Sequence, residues 1–231
     1  MIQTRSDLKR YLQADRAALA KGTDSRWIQS ILNNDANKSY KLQTILRYTE
    51  YYRNNRNRGF FYKLMYLYYK IKGSRYGGKI DCAIAPNSCG PGLKITHPKG
   101  IMISWDAKIG KNFSVRRNSL IGNSLYDHKA PTIGDYVQFG VGAQAVGDVV
   151  IGRGAIISNG SVVLRRVPPY AIIVGNPGKI IGFTMTPEEI VEWEKDKYSE
   201  DERTPIETLQ KNYKKYVSDR YKDINKFTSL K

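Results

Sequence analysis

The sequence is poor in the side chains that carry most metal and redox chemistry. Its 231 residues include two histidines, His97 and His128, and two cysteines, Cys82 and Cys89. The cysteines form no CxxC pair, which argues against a thiolate zinc site, and two are too few for a disulfide framework. Acidic residues are scarce as well: 21 Asp and Glu stand against 38 Lys and Arg, a formal net charge of +17. An excess of that size calls for a negatively charged partner such as nucleic acid, an anionic membrane surface or a phosphate-bearing ligand. No apolar run is long enough to span a bilayer, and the opening "MIQTRSDLKRYLQADRAALAKG" lacks the apolar stretch of a signal peptide. The expected location is the cytoplasm, with peripheral contact at an inner membrane face left open by the charge. No RNP, helix-turn-helix or zinc motif accompanies that charge, so nucleic acid is not the expected partner.

What is present divides into three parts. Residues 1–78 read as helical. Ser6 is the expected cap of a helix starting at Asp7, with Leu8, Tyr11, Leu12 and Leu19 on one face and Gly22 ending it. Asp15 falls on the same face, against the pattern. "SYKLQTILRYTEYYRNNRNRG" and "FFYKLMYLYYKIKG" read as two more helices. In the second, Phe60, Leu64, Leu67 and Ile71 recur at helical spacing among Lys63, Lys70 and Lys72. The expectation is that this stripe packs on a neighbouring domain, the alternative being a membrane interface.

Residues 79–182 follow a different rule. From Ile103, steps of six meet Ile109, Val115 and Ile121, then, past an interruption, Ile133, Phe139, Ala145, Ile151, Ile157 and Val163. Glycine follows the repeat position at 110, 122, 134, 140 and 152. The small residues Ala107, Ser119, Ala143, Ala155 and Ser161 lie four places after it. No α-helix tolerates so many glycines in register. Short parallel strands and tight turns around a triangular prism, about three hexapeptides to a coil, suit the pattern. Residues 183–231 return to helix: Thr186, Pro187 and Glu189 form a capping box, and Thr204, Pro205 and Glu207 repeat the device. The expected fold is mainly β, a left-handed parallel β-helix flanked by N-terminal and C-terminal α-helices.

The segments "GPGLKITHPKGIMIS", "DAKIGKNFSV", "APTIGDYVQFGVGA" and "GRGAIISNGSVVLRRVPPYAIIVGNPGKIIG" resemble the hexapeptide acyltransferases over about residues 80–182. Within them they resemble the serine O-acetyltransferase branch and its relatives from bacterial surface-polysaccharide gene clusters. The resemblance implies an acetyl-CoA-dependent O-acetyltransferase, acting as a homotrimer with sites between adjacent prisms and without a metal. A hydroxyl is a weak nucleophile at neutral pH, so a base must take its proton as it attacks the thioester; histidine suits the task. By the resemblance His97 is the base and His128 a substrate contact, although a swapped role for His128, in the loop before "APTIGD", stays open. Asp81 is the candidate to orient His97; it is one residue out of register, and Cys82 occupies the strict match.

Thr96 and Asp127 stand where the serine enzymes carry an acid and an arginine, so the expected acceptor is a sugar hydroxyl of a surface glycan, or of its nucleotide-linked or lipid-linked precursor. Serine is the alternative acceptor, and a non-enzymatic basic binding module the second alternative. For the donor, the resemblance assigns Gly122, Val141 and Asn159 to the pantetheine groove and Leu164, Arg165 and Lys179 to the nucleotide end. A γ-type carbonic anhydrase on the same prism needs three zinc-binding histidines from facing walls, which two histidines at this spacing do not supply.

Overall fold

The computed structural model describes residues 1–20 and 35–216. Gly22 and the chain beyond Tyr216 lie outside the described residues. Among the described residues three helices come first: α1 (Arg5–Ala20), α2 (Asp35–Asn54) and α3 (Phe60–Ile80). The start of α1 corrects the sequence expectation, since Thr4 rather than Ser6 is its cap. The Thr4 hydroxyl accepts the Asp7 N–H at 3.0 Å, and the Asp7 carboxylate accepts the Thr4 N–H at 3.0 Å. This is a capping box with Asp in the third helical position.

A three-faced prism follows, each coil adding one strand to each face. The first face stacks Cys82–Ile84, Ile101–Ile103, Leu120–Gly122, Gln144–Val146 and Val162–Val163. The second stacks Lys108–Ile109, Thr132–Ile133 and Val150–Ile151. The third stacks Lys94–Thr96, Ser114–Arg116, Gln138–Phe139, Ile156–Ile157 and Ala171–Val174. All of these pairs are parallel; only the closing hairpin to Lys179–Phe183 is antiparallel.

All ten residues of the six-residue frame point inward, none more than 6% exposed, and the five small residues between them are equally buried. At four of the five frame glycines, Gly122 being the exception, the next coil leaves no room for a side chain. A Cβ on Gly134 would lie 2.7 Å from the Arg153 backbone nitrogen, and one on Gly140 would lie 2.7 Å from that of Asn159.

Strand register shows where the frame is broken. Ile95 pairs with Val115, Val115 with Phe139 and Phe139 with Ile157, so successive coils take 20, 24 and 18 residues. The two extra residues fall between Ile95 and Ile103 and the six extra between Ile121 and Ile133. His97 lies in the first insertion and His128 in the second.

Both ends of the prism are covered. At the C-terminal end α4 (Pro187–Lys195) and α5 (Ile206–Tyr216) bury Ile190 and Leu209 in the prism core with Phe183. The Thr186 capping box is present. Thr204 does not repeat it: its hydroxyl donates to Glu194 at 2.9 Å, and the other Glu194 oxygen accepts its N–H. Burial and that same carboxylate, which accepts the Tyr170 hydroxyl at 2.5 Å, push the Tyr170 phenol far above its ordinary range.

At the N-terminal end, Asp15 is buried on α1 because it meets Arg47 of α2, Nε to Oδ2 at 2.8 Å, and Arg47 also holds Glu50 at 3.0 Å. All three are essentially inaccessible to solvent. Arg47 donates onward to the carbonyls of Cys89 and Gly90, Asp15 accepts the N–H groups of Gly92 and Leu93, and Glu50 accepts that of Asn87. The charges that break the helical pattern are the bolts fixing α1 and α2 to the first coil. Burial raises the Glu50 carboxyl above the usual range, against the pull of Arg47.

Candidate active site

The corners between the third and first faces form one ridge. Backbone bonds stack them: Gly100 N–H to Asp81, Asn118 to Lys99, Gly142 to Arg117 and Gly160 to Val141, at 2.6–3.0 Å. Thr96, His97, Val141, Asn159 and Lys179 lie on or beside this ridge. The corners between the first and second faces form another, which carries Gly122, Asp127, His128, Leu164 and Arg165. The first face separates the two ridges, so within one chain the histidines stand on opposite sides of a sheet.

His97 adopts a left-handed backbone conformation (φ +56°) that carries the chain around its corner, as Asn118 does one coil later (φ +59°). Its ring is 56% exposed, and Nδ1 lies 2.7 Å from the Asp35 Oδ2. A carboxylate can only accept, so Nδ1 is the donor in this pairing, and in a neutral imidazole that places the lone pair on Nε2. The bond from His97 holds the Asp35 carboxyl below the usual carboxylate range. Asp35 is the candidate site residue that the sequence reading missed. It opens α2, where an acid is ordinary helix chemistry, and nothing local marks its link to a residue 62 positions away.

Asp81, the expected partner, is on the same ridge one coil earlier. It ends α3 in a left-handed conformation (φ +52°), its N–H bonded to Gly77 and Gly78 and its carbonyl to the Gly100 N–H. The hydrogen bond to the His97 ring comes from Asp35 instead. Cys82 is buried, and burial pushes its thiol up to about 12, so it is no substitute.

On the other ridge, Asn123 ties down the loop that carries His128. Its amide donates to Asp106 and to the His128 carbonyl, both at 2.8 Å, and its Oδ1 accepts the Ser104 hydroxyl. Asp127 is spent inside this loop, accepting the Lys129 N–H at 3.2 Å. Hydrogen bonding from Ser124 holds its carboxyl below the usual range. His128, Leu164 and Arg165 are exposed.

The donor candidates divide between the ridges. The Asn159 Oδ1 accepts the Val141 N–H at 2.8 Å, stitching two coils together. A Cβ on Gly122 would meet only its own strand's Leu120 side chain, at an ordinary contact distance of 3.4 Å, so no neighbouring coil blocks approach of a ligand to the backbone there. Among the described residues no cluster of His, Cys, Asp or Glu is arranged to hold a metal ion.

Residues 130–165 match the family model of the bacterial transferase hexapeptide (six repeats). This match covers under a fifth of the chain, and together with the coil geometry it gives the prism the hexapeptide transferase fold. Within that superfamily the similarity is to the serine O-acetyltransferase branch. Serine acetyltransferase of Mycobacterium tuberculosis is 36% identical over 90 residues, 38% of this chain and 39% of that protein. Soybean serine acetyltransferase complexed with serine superposes with a TM-score of 0.62 at 27% identity, over 76% of this chain and 70% of that one. Serine acetyltransferase of Brucella abortus in complex with coenzyme A does so with a TM-score of 0.63 at 23% identity, over 78% and 69%, and supports the fold. The chain spans less than two-fifths of the length of the curated relatives it matches.

These relatives overturn the expected glycan acceptor, because they are consistently named serine acetyltransferases. The expectation rested on Thr96 and Asp127 and did not weigh the carboxylate that α2 brings to the ridge.

Proposed function

We propose that the protein is an acetyl-CoA-dependent serine O-acetyltransferase, a homotrimer of left-handed β-helices with His97 as general base. The carrying observation is the Asp35–His97 pair, which fixes the imidazole at an exposed corner with Nδ1 against the carboxylate. The serine hydroxyl attacks the thioester carbonyl as its proton passes to Nε2. The tetrahedral intermediate then collapses, and the coenzyme A thiolate leaves and takes that proton. Asp35 keeps Nδ1 protonated throughout and stabilises the imidazolium formed during attack. Because the Asp35 side chain is itself about half exposed (45%), it also offers the substrate ammonium the negative charge that position 96 does not supply.

Trimerisation completes the site. The outward side chains of the first face run Ala83, Met102, Leu120, Gln144, Val162 in paired register. Four of the five are apolar, although a parallel sheet is ordinarily covered on both sides. Packing that face around a threefold axis covers the ladder and brings the His97 ridge of one subunit against the His128 ridge of the next. Acetyl-CoA then lies along the joined ridges, with Gly122, Val141 and Asn159 on its pantetheine arm and Leu164, Arg165 and Lys179 near its nucleotide. Light scattering at micromolar concentration is expected to give three times the chain mass; a monomer that retains activity contradicts this arrangement.

Asp35→Asn tests the base. An amide cannot hold the imidazolium, so kcat is expected to fall by about 10²-fold, of the order that general-base catalysis contributes. Asp81→Asn should leave kcat within about twofold on the same reasoning. The reverse ranking returns the orienting role to Asp81.

A further inference from the structure

Helix α3 presents two different faces. Tyr69 faces α2, stacked on Tyr48 and Tyr52 with centroids 5.0 and 5.5 Å apart. Further along, Gly77 and Ile80 are buried at the start of the prism. The opposite face carries Phe60, Leu64, Leu67, Tyr68 and Ile71, all exposed, from 44% for Ile71 to 80% for Phe60. Phe60, Leu64, Leu67 and Ile71 are the residues expected from their spacing to pack on a neighbouring domain, and among the described residues they stay exposed. At about 100° per residue they fall within roughly 60° of the Leu64 direction and extend about 16 Å along the helix. Lys63 and Lys70 border the stripe on one side and Lys72 on the other, with Arg75 and Lys79 continuing it. From Tyr51 to Ile80 there are eight Lys and Arg and no Asp or Glu. Among the described residues no helix is long and apolar enough to cross a membrane.

We propose that this face of α3 docks in the plane of an anionic lipid surface. An apolar stripe with cationic borders and aromatic residues at its end is the pattern of an interfacial helix: the rings and aliphatic side chains enter the headgroup boundary while the lysines face lipid phosphates. Charge complementarity chooses this occupant over a second copy, since pairing two such faces sets lysine rows against lysine rows with no acid to relieve them. The apolar stripe also argues against nucleic acid, whose phosphates need only the cations. The inference is independent of the acetyl-transfer reading.

The test is cosedimentation of the full chain with vesicles, either phosphatidylcholine alone or with about a third phosphatidylserine. Binding to the anionic vesicles is expected at low salt and should fall at least about tenfold at about 1 M salt, where the screening length shrinks to roughly 3 Å. Leu64→Gln with Leu67→Gln should lower low-salt binding by at least about tenfold, with the light-scattering mass and acetyl transfer unchanged, because the loss is of inserted apolar surface. No binding to anionic vesicles at low salt overturns the proposal, as does equal binding by the double variant. A double variant of reduced assembly mass also overturns it and makes a second copy the occupant.

Discussion

His97→Ala is expected to lower kcat for acetyl transfer by at least about 10²-fold while the affinity for acetyl-CoA stays nearly unchanged. General-base catalysis contributes about 10²–10⁴-fold, and the imidazole at position 97 touches the acceptor's proton rather than the donor. His128→Ala should behave differently. His128 sits on the opposite ridge in a loop held by Asn123; if it contacts the acceptor in the ground state, as proposed, its loss appears chiefly in KM. Steady-state kinetics of the two variants, with acetyl-CoA affinity measured by calorimetry, separate base from binder. An inactive His128→Ala beside a His97→Ala that only binds weakly moves the base into the loop before "APTIGD".

The second large effect is on stability. Arg47→Met removes the cation from between Asp15 and Glu50 and leaves two buried carboxylates facing each other. Breaking a buried pair from one side costs about 3–5 kcal/mol, and the melting temperature is expected to fall by roughly 10 °C in a chain of this size. Replacing all three charges with apolar residues should recover only part of that loss. Asp15 and Glu50 also accept the N–H groups of Gly92, Leu93 and Asn87, which an apolar triad leaves unpaired.

The sign of the pH dependence follows from Glu50, whose carboxyl burial raises above the usual range. A raised carboxyl favours the fold when protonated, and that advantage is lost as pH rises through its folded value. Without Arg47 to oppose burial, the variant's deficit should be smaller at about pH 5 than at about pH 8. Thermal melts at fixed protein concentration measure both; a fall of under about 2 °C contradicts the clamp.

The prism was legible in the sequence because its geometry repeats in steps of six: each inward position recurs where the coil returns to the same face. Even the two breaks in the frame could be read as places where a histidine leaves the wall. The helical region was less legible. Asp15 looked like a fault in an apolar stripe because its partner, Arg47, lies 32 residues away. The stripe of α3 has the spacing of a packed face, and spacing alone does not say which side of a helix, apolar on both faces, meets its neighbour. Asp35 was missed for a similar reason, since its contact with His97 exists only once α2 is bolted to the first coil.

Release of coenzyme A thiol from acetyl-CoA, followed with and without L-serine, tests the central claim most directly. The account predicts release that depends on and saturates with L-serine, yields one O-acetylserine per thiol, and is lost in His97→Ala. Thiol release unaffected by L-serine, from protein that is folded and trimeric, would contradict it.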